Sequence, residues 1–304
     1  RERRAAAPGA PACGMALFYS DLAKGVANLL DDDYFYTQKL KITSKTQNNV
    51  VWTSEGELSP KGALGKLGAA YRHASGLSLD KLQVKTDGRV HAEASLRMDP
   101  NVRLFVSAED GRQEPGKPLH SHGRVGVDAS HPASLSAGTA EMDMVNGPTM
   151  RVSLLKGLPW MGLFLGGEVS YNTHLEERDQ RPEISDIGFG ASYRSREWQA
   201  SVSTSDKMGA IGVSYLHHVM PTLSVGALFK YKLHEDSQHL TVGCAYQADD
   251  ITTVKAKFST NALLSMSMRQ RVSKLVTLTL CAEVDSQEWA ADSHRFGISV
   301  ALCD

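Results

Sequence analysis

Cysteine is scarce in this chain of 304 residues: only Cys13, Cys244, Cys281 and Cys303. They form no CxxC and have no closely spaced histidine, which argues against a zinc site. Four thiols are too few for a disulfide framework at this length, so they read as free small hydrophobes. Net charge is also missing. Lys plus Arg total 33 and Asp plus Glu total 34, whereas a nucleic-acid binder carries a basic excess. No apolar run reaches the roughly 18 to 20 residues of a transmembrane helix. The longest weakly polar stretch runs from Gly157 to Gly167 and ends at Glu168. The chain carries no GxSxG, phosphate loop or HExxH, so neither an enzyme nor a cofactor is expected. His120 and His122 share a strand face but lack a third ligand in sequence, and His217 and His218 point to opposite faces. The acidic stretch from Glu176 to Asp179 reads as a solvated connection. Mean hydropathy is −0.27, yet none of this excludes a transmembrane β-barrel. Such a barrel keeps its apolar residues at alternate positions, where an average does not see them.

Residues 1–14 are rich in Ala, Pro and Arg and stop at Met15. Pro8 and Pro11 interrupt any amphipathic stripe, so this stretch is expected to be a disordered or non-native extension. Residues 15–37 form a second region, a helix and linker. Between Tyr19 and Leu30 the apolar residues Leu22, Val26, Leu29 and Leu30 recur at helical spacing, with Asp21, Lys24 and Asn28 opposite. Ser20 is the candidate N-cap. Asp31, Asp32 and Asp33 oppose the macrodipole, so the helix is expected to stop there. Twelve residues are marginal for a free helix in water, so this one needs a surface to dock on.

From residue 38 to 304 the period is two. Val90, Ala92, Ala94, Leu96 and Met98 alternate with polar neighbours. So do Leu223, Val225, Ala227, Phe229 and Tyr231, with Leu228 the exception, and Phe296, Ile298, Val300 and Leu302. Alternation places the two sets on opposite faces of a strand. Turn signals such as Asp87-Gly88, Asp99-Pro100-Asn101 and Met220-Pro221 divide the region into about 19 segments of transmembrane-strand length. A soluble sandwich turns its apolar face inward; a membrane barrel turns it to lipid. Small apolar residues (Ala92, Ala94, Ala200, Ala227) and an ionic polar face favour the barrel.

Particular segments narrow this further. The stretch from Tyr19 to Tyr34 resembles the N-terminal helix of eukaryotic mitochondrial porins, the voltage-dependent anion channels. The similarity continues through Lys39-Leu-Lys-Ile-Thr43 and Thr53-Ser-Glu-Gly56. It is strongest in Leu240-Thr-Val-Gly-Cys-Ala-Tyr246 and Asp250-Ile-Thr-Thr-Val-Lys-Ala-Lys257, whose flavour is plant or algal. The tail resembles the sorting signal of outer-membrane barrels through Arg295, Gly297, Ile298, Val300 and Leu302. The resemblance implies an all-β fold: a transmembrane barrel of 19 strands with the amphipathic helix inside the pore. Leu22, Val26, Leu29 and Leu30 would then dock on the inner wall.

It also implies a voltage-gated, weakly anion-selective channel of the mitochondrial outer membrane, passing ATP, ADP, phosphate and small metabolites. Its partners would be the lipid bilayer, nucleotides and small anions as solutes, further copies of the chain, and docked cytosolic or mitochondrial proteins. No nucleic acid is required. Basic lumen residues would supply the selectivity. By parity the candidates are Lys24, Lys39, Lys41, Lys45, Arg89, Arg97, Lys230, Lys232, Lys255 and Lys257, with Glu93, Asp128 and Glu168 partly offsetting them. The nucleotide-contacting Gly-Leu-Lys of relatives is replaced by Asn101-Val102-Arg103, and Arg103 keeps the charge. Ala27 and Asp32 fall where animal relatives carry basic residues, which predicts modest selectivity. Asp80 lies near a position that is acidic and membrane-facing in some relatives; here a lumen or turn position is expected. The competing readings are a protein-import barrel, which would want an acidic lumen, and a soluble β-rich binding protein.

Overall fold

A computed structural model describes residues 17–303 except 61, 112–120, 146–147, 159, 174–181 and 288–293. Residues 1–14, His120 and the stretch from Glu176 to Asp179 lie outside the described residues.

Nineteen strands follow one short helix. They are β1 (Gln38–Lys45), β2 (Val50–Ser59), β3 (Gly62–Arg72), β4 (Leu77–Lys85), β5 (Val90–Asp99), β6 (Val102–Asp110), β7 (His122–His131), β8 (Ser136–Asp143), β9 (Thr149–Leu158) and β10 (Leu163–Asn172). The series continues with β11 (Glu183–Arg194), β12 (Trp198–Ser205), β13 (Ala210–Met220), β14 (Leu223–Lys232), β15 (Ser237–Asp249), β16 (Thr252–Ser259), β17 (Leu263–Arg271), β18 (Val276–Asp285) and β19 (Arg295–Cys303). Each pairs antiparallel with its chain neighbours, and β1 pairs parallel with β19, so the sheet closes. The parallel seam follows from arithmetic. With alternating directions and an odd number of strands, the first and last run the same way. Closure leaves no edge with unpaired backbone groups, a condition for crossing lipid.

The two faces separate as the alternation requires. On β14, Leu223, Val225, Ala227, Phe229 and Tyr231 point one way; Ser224, Gly226, Leu228, Lys230 and Lys232 point the other. The second face carries the helix, since a Cβ on Gly226 would lie 3.5 Å from Leu29 Cδ2. It is therefore the inside. Outward apolar side chains stay uncovered, among them Leu154 at 66%, Leu67 at 64% and Phe296 at 72% exposure. An apolar band this extensive belongs in lipid, and the soluble reading fails on it. Outward aromatics lie toward both rims: Trp52, Tyr71, Trp198, Tyr193 and Tyr246 toward the rim where odd-numbered strands end, and Tyr171, Tyr231 and Phe258 toward the other. Tyr193, Trp198 and Tyr215 form a contiguous ring cluster, with centroids 4.7 and 6.3 Å apart. Such a girdle suits a membrane interface. No described helix is long and apolar enough to cross a membrane; the strands do the crossing.

The N-terminal segment departs from a single helix over Tyr19–Leu30. It forms a 3-10 turn, Tyr19–Asp21, and a seven-residue helix α1, Lys24–Leu30. Ala23, at φ −103° and ψ 5°, breaks the continuity. Ser20 is not the cap. Phe18 and Ala23 occupy the N-cap positions, and neither offers a side-chain bond. The stop at the aspartates holds: Asp31 is the C-cap, and Asp33 adopts a left-handed φ of 70°. The hydrophobic cluster among described residues is the docking contact, where Val26, Leu29 and Leu30 pack on Leu216. Two turns of helix do not persist alone in water; burying this face holds them.

Candidate functional site

The lumen wall is built by strand parity, and it divides into two arcs. From β1 to β10 many of its inward charges are paired, along one strand or across one or two strands. Lys39 sits opposite Glu57 and Lys41 opposite Glu55, at 3.4 and 3.3 Å. Lys66 on β3 reaches both carboxylates, at 3.7 and 3.5 Å. Lys85 lies 3.8 Å from Glu109 and His91 lies 2.8 Å from Glu93. Arg151 on β9 lies 3.3 Å from both Glu141 on β8 and Glu168 on β10. Facing positions in a sheet are close enough for such pairs to form, and partial exposure keeps each weak.

Arg103 is the centre of a further cluster. Its Nη2 donates to Asp80 at 2.7 Å, and Asp128 is 3.9 Å from Nη1. Asp80 also accepts from Ser78 Oγ at 2.9 Å and Ser95 Oγ at 2.6 Å. The register of β4 against β5 shifts between Leu79 and Lys81. This bulge puts Asp80 among lumen groups, as a β-bulge does when it re-aims a side chain. Arg103 therefore keeps the charge expected of it, but two carboxylates share it.

From β12 to β19 the wall is different. Its inward residues include Ser201, Ser214, Ser265, Ser267 and Thr279, all nearly buried, together with Lys230, Lys232, Lys255, Lys257, Arg269 and Arg271. This arc is the berth of α1 and the linker; the 3-10 turn before them lies against β9 and β10. Val26, Leu29 and Leu30 are buried against the arc, and Leu22 is buried beside it over Gly190 of β11. Gln199 donates to the Leu22 carbonyl at 2.8 Å. Lys257 Nζ donates to Leu30 O at 2.7 Å and lies 4.2 Å from the centre of the Tyr34 ring. Lys255 Nζ reaches Asn28 O, Asp32 O and the Asp33 carboxylate at 3.1, 3.2 and 2.9 Å. Arg269 lies 3.7 Å from the same carboxylate. A helix C-terminus presents unpaired carbonyls and negative potential, which explains why cations collect there. Further on, Ser267 and Cys281 both donate to Asp33 O at 2.8 Å, and Tyr36 donates to Ser265 at 3.0 Å. In this linker, outside the strands, burial pushes the Tyr36 hydroxyl up to about 12 and raises Tyr34 too. Both phenols stay neutral, so the charge in this contact belongs to the cations and to Asp33.

The remaining candidates are placed as follows. Lys24 is exposed beside Asp21, 3.0 Å away. Lys45 and Arg97 have lumen parity, Arg97 opposite Arg103. Arg89 lies in the turn before β5, 3.5 Å from Asp87, rather than on the wall. Lys232 is held by Glu235 at 2.9 Å, and Lys230 shares its face. Arg295 is 3.6 Å from Glu283. Ile298, Val300 and Leu302 point outward beside Leu280, Leu278 and Val276. Inward basic side chains without facing carboxylates on the sheet are concentrated on the β12–β19 arc, whereas on the other arc many are paired with acids. Glu55, Glu57, Glu109 and Glu141 also face inward by parity and are not among the sequence candidates. The docking role of Asp33 had no signal beyond its place at the helix end.

The family model for eukaryotic porin matches residues 16–297. Mitochondrial outer membrane protein porin 4 of Arabidopsis thaliana is 22% identical over 93% of this chain and 97% of its own length. Mitochondrial outer membrane protein porin 3 of the same plant is 26% identical at the same coverage. The voltage-dependent anion-selective channel of Drosophila melanogaster is 23% identical over 93% of this chain and 98% of its own.

Proposed function

The chain belongs to the eukaryotic porin family, and from that premise we propose that it is a voltage-gated, weakly anion-selective diffusion channel of the mitochondrial outer membrane. Its relatives carry the names of mitochondrial outer membrane porins and of a voltage-dependent anion-selective channel. The solutes are small metabolites, including ATP, ADP and phosphate. The observation that carries the reading is the closed 19-stranded sheet with uncovered apolar residues outside and ionic side chains inside.

Passage needs no bond to be made or broken. A wall of fixed cations raises the local anion concentration, and water keeps each contact weak. Lys45, Arg97, Lys230 and Lys257 add to the positive potential, while neighbouring acids largely offset Lys39, Lys41 and Arg103, Glu235 offsets Lys232, and Asp33 of the docked segment offsets Lys255 and Arg269. That balance supports weak selectivity. The lipid bilayer is the necessary partner; self-association and docking of other proteins at the rims extend the same reading. Planar-bilayer recording tests it. The expected result is a large open state that drops to lower conductance as voltage rises in either sign, with a small reversal potential favouring anions. Absence of conductance from refolded protein would refute the channel.

A further inference from the structure

We propose that Gly297 is the positioning residue that seats the N-terminal linker on the closing seam, so that the glycine of the tail motif serves the finished channel. Gly297 lies in β19 with inward parity, opposite Cys281. The linker backbone passes directly over it. A Cβ built there would overlap the Phe35 carbonyl oxygen and lie 2.9 Å from Phe35 C and 3.0 Å from Tyr36 Cα. Its φ is not in the left-handed region, so space rather than conformation demands glycine. Other inner-wall glycines under the segment differ in kind. A Cβ at Gly190 would first meet Leu22 Cδ1, and one at Gly243 would first meet Leu30 Cδ2. At those two positions the segment offers only the ends of flexible side chains, and the main-chain atom near Gly243, Ala256 O at 2.9 Å from a Cβ, belongs to the wall; at Gly297 the obstacle is the linker's own main chain, which cannot rotate aside. The surrounding contacts fix the crossing from both sides. Asp33 O is held by Ser267 and Cys281, Tyr36 by Ser265, and the Ile298 N–H donates to Thr37 O at 3.2 Å. After this crossing the chain enters β1, which pairs with β19 itself. The seam therefore carries both the barrel closure and the exit of the segment from the lumen.

The seat needs no premise about transport; only its consequence for gating rests on the channel reading. The test uses the full chain refolded in detergent, which bypasses membrane sorting. Chymotrypsin cleavage after Phe35 and Tyr36 reports release of the linker. G297A should fold into a barrel whose linker is cut roughly tenfold faster than in the parent, because overpacked contacts yield by such amounts. G56A is the control, since nothing lies within 4 Å of a Cβ there; its cleavage should match the parent. In a chain carrying Ser267→Ala and Cys281→Ala, whose linker is already loosened, G297A should accelerate cleavage much less. If G297A alone does not refold, the same background should restore folding. Parental protection in G297A, full additivity with the loosened background, or misfolding in both backgrounds would overturn the proposal. In bilayers G297A should close at a shifted voltage. Faster cleavage with unchanged closure would uphold the seat and refute its gating role. Silent bilayers for the parent would refute the channel and leave the cleavage result standing.

Discussion

The two arcs of the wall handle their inward charge in opposite ways. Between β1 and β10, most of the lysines and arginines described above find carboxylates one or two strands away, so the wall largely neutralises itself. Between β12 and β19 the cations have few acids on the sheet. Lys255, Lys257 and Arg269 turn instead to Asp33 and to the carbonyls at the end of α1. One arc is balanced by covalently fixed neighbours. The other is balanced by a docked segment that could leave without unfolding a strand. A local opening of this kind costs far less than global unfolding. The difference means that displacing the segment changes the field as well as the width of the lumen. It takes away the carboxylates of Asp31, Asp32 and Asp33 and uncovers the cations beneath them.

The largest effect should come from breaking the docked side of this comparison. Leu30→Ala removes a side chain only 1% exposed, and truncating a buried leucine costs about 2–5 kcal/mol. The loss falls on the contact between segment and wall. Cleavage or hydrogen exchange in residues 19–36 should rise steeply while thermal unfolding of the barrel hardly moves. A parallel drop in barrel stability would show that the segment is part of one cooperative unit. Lys255→Glu with Lys257→Glu should follow in size. It places two carboxylates against Asp33 and the helix carbonyls, and it should release the segment and move the reversal potential toward cations.

Intermediate changes are expected on the self-balanced arc. Glu55→Gln with Glu57→Gln leaves Lys39, Lys41 and Lys66 without partners. Exposed ion pairs contribute about 0.2–1 kcal/mol each, so the barrel should stay intact. The reversal potential should shift toward anions, more at low ionic strength than at high, since salt screens these charges. A shift independent of salt would mean the carboxylates act through packing instead.

These contrasts also mark how far the sequence could be read. Strand parity was legible almost throughout. The faces of β14, β16, β18 and β19 follow from alternation alone, and so does the outward direction of Ile298, Val300 and Leu302. The docking face of Leu22, Val26, Leu29 and Leu30 was legible from its spacing. What alternation does not report is who stands opposite. Glu55 and Glu57 have the same parity as Thr53, but only pairing with Lys39 and Lys41 makes them counter-ions. Breaks in period were equally hidden. The bulge at Asp80 and the interruption at Ala23 depend on contacts with distant segments, and neither has a local signature. Gly297 was visible as part of a motif, but its crowding depends on where the linker passes.

The smallest effect should come from Arg103, and the reason sharpens the comparison. Arg103→Ala deletes one positive charge, but its two carboxylate partners do not lose all their support. Asp80 keeps the hydroxyls of Ser78 and Ser95, and Asp128 keeps a 3.0 Å bond from Thr139. The cluster stays assembled with uncompensated negative charge, so the reversal potential should move slightly toward cations. Voltage closure should be unchanged, because none of these groups touches the N-terminal segment. Asp80→Asn in the same chain should reverse most of the shift. If Arg103→Ala altered closure as strongly as Lys255→Glu, the two arcs would be electrically coupled across the lumen. Docking alone would then no longer account for the difference between them.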